Sequence, residues 1–206
     1  LTRRLVTGPR PEVRPCITPL TGAVLHELPL STRADVQVAI DHARSAQRAW
    51  ARLPIAQRAT IILRVHDLVL DRQVQLLDLM QLESGKTRLQ AFEEIADIAL
   101  VARHYGRAGA AHLATKRIWG AYPLLTQAET VRQPYGVVGI VSPWNYPFTL
   151  PIGDTIPALL AGNAVVLRPD PQTTLTALFG AQILHDAGVP DGVLQVVSGE
   201  GPTVGQ

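Results

Sequence analysis

The residues best placed to do chemistry in this 206-residue chain lie in Ser142-Pro143-Trp144-Asn145-Tyr146-Pro147, directly after the apolar run Val137-Val138-Gly139-Ile140-Val141. Two prolines stiffen the backbone around a lone amide side chain. A rigidly placed Asn NH₂ is what an oxyanion hole requires, because the donor must meet developing charge without reorganising. The competing reading is a turn in which Asn145 bonds its own backbone. At this level the two readings stand level.

Other reactive groups are less well placed. Cys16 is the single cysteine. A thiolate nucleophile needs a sheltered, electropositive setting, whereas Cys16 lies between Pro15 and Ile17 in a stretch with no period, and reads as an ordinary residue. One cysteine also excludes an internal disulfide framework and a multi-cysteine metal site. The six histidines show no His-Glu-x-x-His spacing and no pairing with cysteine, so no metal is assigned. Gly199-Glu200-Gly201-Pro202-Thr203-Val204-Gly205 resembles a dinucleotide fingerprint with one residue too many. A turn leading into a helix describes it better.

The bulk properties narrow the class. Hydrophobic residues make up 47% and charged residues 17%, with a net charge of +2, which is ample for a core and small for a polyanion binder. No basic block is interleaved with aromatics, so no nucleic-acid partner is expected. No run approaches the roughly 20 apolar residues of a membrane span. Arg3 and Arg4 are not followed by a signal-like apolar segment. The expectation is a soluble, cytoplasmic protein.

Something must hold the Asn145 loop, and the chain divides into four parts. Residues 1–30 are rich in Pro, Thr and Arg and read as an irregular leader, with a turn and short strand over 20–25. Residues 31–114 read as helical. Thr32 and Asp35 fit an N-terminal cap, and Val36, Ala39, Ile40, Ala43, Ala46 and Trp50 share one helical face. A second helix opens at Pro54 and runs to Val69. A third carries Val74, Leu77, Met80 and Leu82 and stops at Gly85, and a long alanine-rich helix covers about 90–111. Residues 115–136, punctuated by Gly120, Pro123 and Gly136, read as a hairpin or extended arm, with strand-like alternation over 130–133. Residues 137–206 carry three short apolar runs, 137–141, 164–167 and 194–197, with a helix over 174–187 before the third. Buried β-branched runs alternating with helices indicate a parallel α/β sheet. In such sheets a ligand sits beyond the carboxyl ends of the strands. Here those ends are 142–145, 168–171 and 198–201, which predicts a small-molecule site along that edge.

A resemblance then adds to this reading. The stretch from Gly136 to Pro147 resembles the Pro-Trp-Asn-Phe/Tyr-Pro signature of the aldehyde dehydrogenase superfamily. Leu82-Glu83-Ser84-Gly85-Lys86 is similar to that family's Glu-Thr/Ser-Gly-Lys helix end. Residues 157–169 resemble its Pro-Ala-Leu-x-x-Gly-Asn-x-Val-Val-x-Lys-Pro block. Gly188-Val189-Pro190-Asp191-Gly192-Val193, with Gly201-Pro202 after it, is similar to the Gly-x-Pro-x-Gly-Val segment and the glycine region that follows. Four collinear motifs cover the chain from about Ile17 onward.

The resemblance implies an incomplete aldehyde dehydrogenase-like α/β fold: a helical N-terminal scaffold plus part of a parallel, Rossmann-like sheet. It implies oxidation of an aldehyde substrate to the carboxylic acid with NADP or NAD, in a homodimer or homotetramer paired through the 115–136 arm. By this resemblance Asn145 is the oxyanion donor. Ile140, Val141, Ser142, Pro143 and Trp144 line the cofactor cleft, while Arg168, Pro169 and Asp170 lie at the adenosine ribose and Gly201 and Pro202 near the adenine. Two departures bear on the cofactor: Arg168 replaces a lysine, and Pro171 stands where many NAD-preferring members have a glutamate. Residues 142–147 together with Arg168-Pro169-Asp170 are most similar to the succinate-semialdehyde dehydrogenase group. The family's nucleophilic cysteine and its glutamate are expected beyond residue 206, which would leave this chain inactive by itself. An inactive interaction module is the alternative.

Overall fold

A computed structural model describes residues 1–122 and 125–205; Pro123 and Leu124 of the arm and Gln206 lie outside the described residues. Helix α1 (Arg33–Arg52) starts where the sequence says it should. The Thr32 hydroxyl accepts from the Asp35 amide at 3.2 Å and the Asp35 carboxylate accepts from the Thr32 amide at 2.8 Å. Its buried face carries Ala39, Ala43 and Trp50. Helix α2 (Ile55–Asp71) follows Pro54, and α4 (Arg88–Leu113) opens on a second reciprocal cap between Thr87 and Gln90.

Helix α3 (Gln73–Ser84) is where the apolar pattern misleads. Val74 and Leu82 are exposed, and the buried positions are Leu76, Leu77, Met80 and Glu83. The face is set by what α3 packs against, and a carboxylate is part of it. Gly85 ends the helix at φ 73°, and a Cβ there would lie 2.9 Å from the Pro19 ring. Both the left-handed backbone and the contact require glycine.

The leader is more ordered than its prolines suggest. A 3₁₀ turn (Thr2–Arg4) precedes β1 (Val13–Ile17), which pairs antiparallel with β2 (Val24–Pro29). Pro15 sits inside β1, where a two-stranded sheet leaves the outer hydrogen-bonding side unused and a missing N–H costs nothing. The arm forms an antiparallel hairpin of β3 (Lys116–Trp119) and β4 (Gln127–Thr130). The strand stops at Thr130, so the alternation over 130–133 does not continue it.

The sheet is parallel, in the order β5 (Val137–Val141), β6 (Ala164–Arg168), β7 (Leu194–Val196), with α5 (Thr149–Leu160) and α6 (Thr174–Ala187) as crossovers. Leu5 bridges to Val196, and the Val6 amide donates to the Val196 carbonyl at 2.9 Å, so the leader meets the outer edge of β7. Among the described residues no strand pairs with the outer edge of β5.

Helices and sheet share one apolar core. It runs from Ile62, Met80 and Ile95 in the scaffold through Ile152 and Leu159 to Val165, Leu167 and Leu184. Polar cross-links fix the register of the two halves. Trp50 donates its indole N–H to the Leu159 carbonyl at 2.8 Å. The buried Arg58 guanidinium donates to the carbonyls of Leu160 (2.9 Å), Ala51 (3.2 Å) and Leu53. Among the described residues no helix is long and apolar enough to cross a membrane.

Candidate active site

Parallel register brings the three strand ends to one edge, and hydrogen bonds stitch them together. The Ser142 amide donates to the Arg168 carbonyl at 3.1 Å, tying the end of β5 to that of β6. Arg168 reaches the end of β7, donating from Nε (3.1 Å) and Nη2 (2.8 Å) to the Gly199 carbonyl. That use of the guanidinium was not legible in the sequence. It commits one edge of the fork to the backbone and leaves Nη1 without a partner among the described residues. Asp170 is also engaged: its carboxylate accepts from the Gln172 amide at 2.9 Å and its carbonyl from the Thr174 hydroxyl at 3.0 Å, which builds the turn into α6. Pro169 and Pro171 are buried in that turn. Gly201 and Pro202 are exposed and begin α7 (Gly201–Val204), the short helix expected after the glycine turn.

A cavity of about 320 Å³ lies against the sheet, lined by Gly139, Val141, Val166, Arg168, Val197 and Val204 among others. Val141 presents its side chain there, 69% exposed, while Ile140 on the same strand is 8% exposed. The alternation of the pleat separates these neighbours, so Ile140 borders the cleft mainly by its backbone. Gly139 has nothing within 4 Å of where a Cβ would stand, which leaves open room over the strand. The Ser142 hydroxyl is buried without a hydrogen-bond partner among the described residues.

Beyond Ser142 the chain turns outward and then back. Pro143, Trp144, Asn145 and Tyr146 are exposed; Pro147 and Phe148 are buried. The Asn145 side chain makes no hydrogen bond to a described residue, so it does not close the turn on its own backbone. Its NH₂ is free to donate outward. The loop is held by its backbone instead. Lys86 Nζ donates to the Asn145 carbonyl at 3.0 Å and stands 5.0 Å from the centre of the Tyr146 ring. The same ammonium pairs with the buried Glu94, whose Oε2 accepts from the amides of Phe148 (2.9 Å) and Thr149 (3.0 Å). These are the first donors of α5, which has no side-chain cap of its own.

Glu83 does the same for α6. Its carboxylate, 3% exposed, accepts from the Leu175 amide (2.6 Å), the Thr176 amide (2.7 Å) and the Thr176 hydroxyl (2.6 Å), while Cys16 Sγ donates to it at 3.7 Å. Burial pushes the Glu83 carboxyl up to about 7, against the pull of those four donors toward the ionised form. Burial pushes the Cys16 thiol up to about 12, and the neighbouring Glu83 carboxylate adds to the effect. The setting opposes thiolate formation, so Cys16 has none of the features of a nucleophile. Cys16, Glu83, Trp144 and Thr173 line a second cavity of about 360 Å³.

Lys86, Glu94 and Glu83 thus do more at this edge than the sequence disclosed. Glu94 reads as one more polar residue of an amphipathic helix. Its one available signal is indirect: Phe148, the residue before α5, has no side-chain acceptor, so one had to come from elsewhere.

A parallel sheet whose strand ends carry a free amide donor beside an open cleft is an α/β architecture with a candidate ligand site at its carboxyl edge. The aldehyde dehydrogenase family model matches residues 6–206; the chain belongs to that family. It is 47% identical over 192 residues to a putative succinate-semialdehyde dehydrogenase [NADP(+)] of Mycolicibacterium smegmatis, covering 93% of this chain and 37% of that protein. Among solved structures it is similar to a NAD-dependent benzaldehyde dehydrogenase from Corynebacterium glutamicum, with TM-score 0.89 and 32% identity over 97% of this chain and 44% of that one. A succinate-semialdehyde dehydrogenase from Burkholderia pseudomallei gives TM-score 0.88 and 31% identity over 94% and 40%. The chain therefore spans little more than a third of the length of the curated relatives it matches.

Proposed function

We propose that this chain supplies the oxyanion donor and part of the cofactor cleft of an NADP- or NAD-dependent aldehyde dehydrogenase that oxidises an aldehyde of the succinate-semialdehyde class. The observation that carries the reading is the Asn145 amide, exposed at the end of β5 with no internal partner, on a loop whose backbone is pinned on both sides. Such a donor stabilises the oxygen of a tetrahedral adduct without first having to break a bond. Bound NADP⁺ or NAD⁺ supplies the hydride acceptor. The residues present fit it: Gly139 and Val141 leave space over the sheet, and Arg168 Nη1 is available at the cleft rim. Pro143 and Trp144 border the cleft at the end of β5, Pro169 and Asp170 shape the ribose end, and Gly201 and Pro202 lie toward the adenine.

The nucleophile is not Cys16, and the 206-residue chain alone oxidises no aldehyde. Residues 1–30 and 31–114 serve as scaffold, 137–206 as the first βα units of the cofactor sheet, and 115–136 as the arm through which subunits pair in a cytoplasmic homodimer or homotetramer. The arm's exposure supports that role: Trp119 is 90% exposed and Ile118 54%.

Asn145→Ala in a full-length dehydrogenase carrying this chain tests the reading. Removing one oxyanion donor costs on the order of 3 kcal/mol, about a hundredfold in kcat, with cofactor affinity unchanged. Unaltered turnover would return Asn145 to a purely conformational role.

A further inference from the structure

We propose that the Lys86–Glu94 pair aims the Asn145 amide, a positioning role that rests on the reading of Asn145 as the oxyanion donor. The pair grips the loop at three backbone points. Lys86 holds the Asn145 carbonyl at 3.0 Å, and Glu94 holds the amides of Phe148 and Thr149 at 2.9 and 3.0 Å. Tyr146, between them, lies under the same ammonium. On the other side the Ser142 amide is fixed to Arg168. With the backbone held on both sides, what remains free at Asn145 is the rotation of its own side chain.

Helix capping explains only half of this arrangement. An uncharged acceptor at position 94 would also accept from the two amides, more weakly but without a buried charge. A buried ion pair adds little net stability over apolar residues of similar size. Capping leaves the lysine unexplained, and the lysine is the group bonded to the Asn145 carbonyl. Both charges are withdrawn from water, with side-chain exposures of 13% for Lys86 and 0% for Glu94, so the contact is not a loose surface pair. Oxyanion donors must sit within a few tenths of an ångström of their target. A 1 Å misplacement costs about a hundredfold in rate. Fixing the carbonyl of the donor residue itself is the shortest mechanical route to that precision.

The test compares Lys86→Met, Glu94→Gln, the double variant and Asn145→Ala in a full-length dehydrogenase carrying this chain. Lys86→Met strands the Glu94 carboxylate and lowers both Tm and kcat. The double variant removes the stranded charge while keeping an acceptor for the two amides, so Tm recovers. Its kcat stays down by about tenfold with KM unchanged, because the carbonyl of Asn145 is still untethered. If kcat recovers together with Tm, the pair is only structural and the proposal is overturned. Adding Asn145→Ala to the double variant causes no further loss of the full size; a full additional loss shows the pair acting elsewhere and also overturns it. Lys86→Arg is the second route: it keeps the charge beside Glu94 and the stability but shifts the donor, so Tm holds while kcat falls, and an undiminished kcat counts against the proposal. Asn145→Ala separates the two claims. Its failure to lower kcat removes the donor reading itself, whereas a loss there with a normal double variant removes positioning alone.

Discussion

Replacing Glu83 by alanine isolates the cost of a helix cap supplied from another helix. The substitution removes the acceptor for two amides that have no access to water, those of Leu175 (7% exposed) and Thr176 (0%). Each orphaned buried donor costs about 1–3 kcal/mol, offset in part by relief of a desolvated carboxylate, so the expected loss is about 3 kcal/mol. The loss depends on pH with a definite sign. Burial raises the Glu83 carboxyl from 4.5 to about 7, so between those values the folded chain holds a proton that the unfolded chain has released. Stability from this group is present in full below about pH 4.5 and is lost as pH rises through 7, a span on the order of 3 kcal/mol. The difference between wild type and Glu83→Ala is therefore larger at pH 5 than at pH 8. Urea unfolding at the two pH values, followed by the fluorescence of the buried Trp50, measures it. A loss below about 1 kcal/mol at both pH values would mean that the amides find other acceptors. Equal losses at both would mean that Glu83 does not titrate in this range.

Three shorter expectations accompany this one. Cys16, buried and held near 12, should resist alkylation at pH 8 until the chain unfolds, and rapid labelling of the native chain would contradict its placement against Glu83. Gly85→Ala forces a left-handed alanine toward Pro19 and should cost about 2 kcal/mol, read as a Tm drop of roughly 4–8 °C; an unchanged Tm would show the turn to be pliant. A full-length enzyme carrying this chain should accept NADP⁺ at least as well as NAD⁺, because Pro171 provides no ribose carboxylate and Asp170 is spent on its own turn. Arg168 offers a phosphate one nitrogen instead of two, so the preference stays below about tenfold; a kcat/KM ratio favouring NAD⁺ tenfold would reverse the argument.

The parts of this molecule legible in the sequence are those whose signal is local. Thr32 with Asp35 marks the start of α1, Gly188 marks the end of α6 at φ 115°, and 137–141 coincides with β5. The edge of the sheet carrying Asn145 followed from topology and from the family motif. What escaped depends on partners far away in the chain. Glu94 binds amides 54 and 55 residues downstream, and Arg168 binds a carbonyl 31 residues on. Pattern reading also assumes that buried means apolar, so α3, with Glu83 buried and Val74 exposed, defeats it. β1 was hidden by Pro15, whose penalty disappears in a sheet of two strands.

The two borrowed caps also bear on the order in which the chain can assemble. The first turns of α5 and α6 exchange water for their protein acceptors only when α4 and α3 dock, because those acceptors are Glu94 and Glu83. The sheet segment should thus behave as a follower in folding, with the helical half as its template. Cutting the chain between residues 114 and 137 and expressing the pieces separately should leave the C-terminal piece without stable helices until the N-terminal piece is added. A seam that looks like a domain boundary along the sequence would then be no boundary for cooperativity.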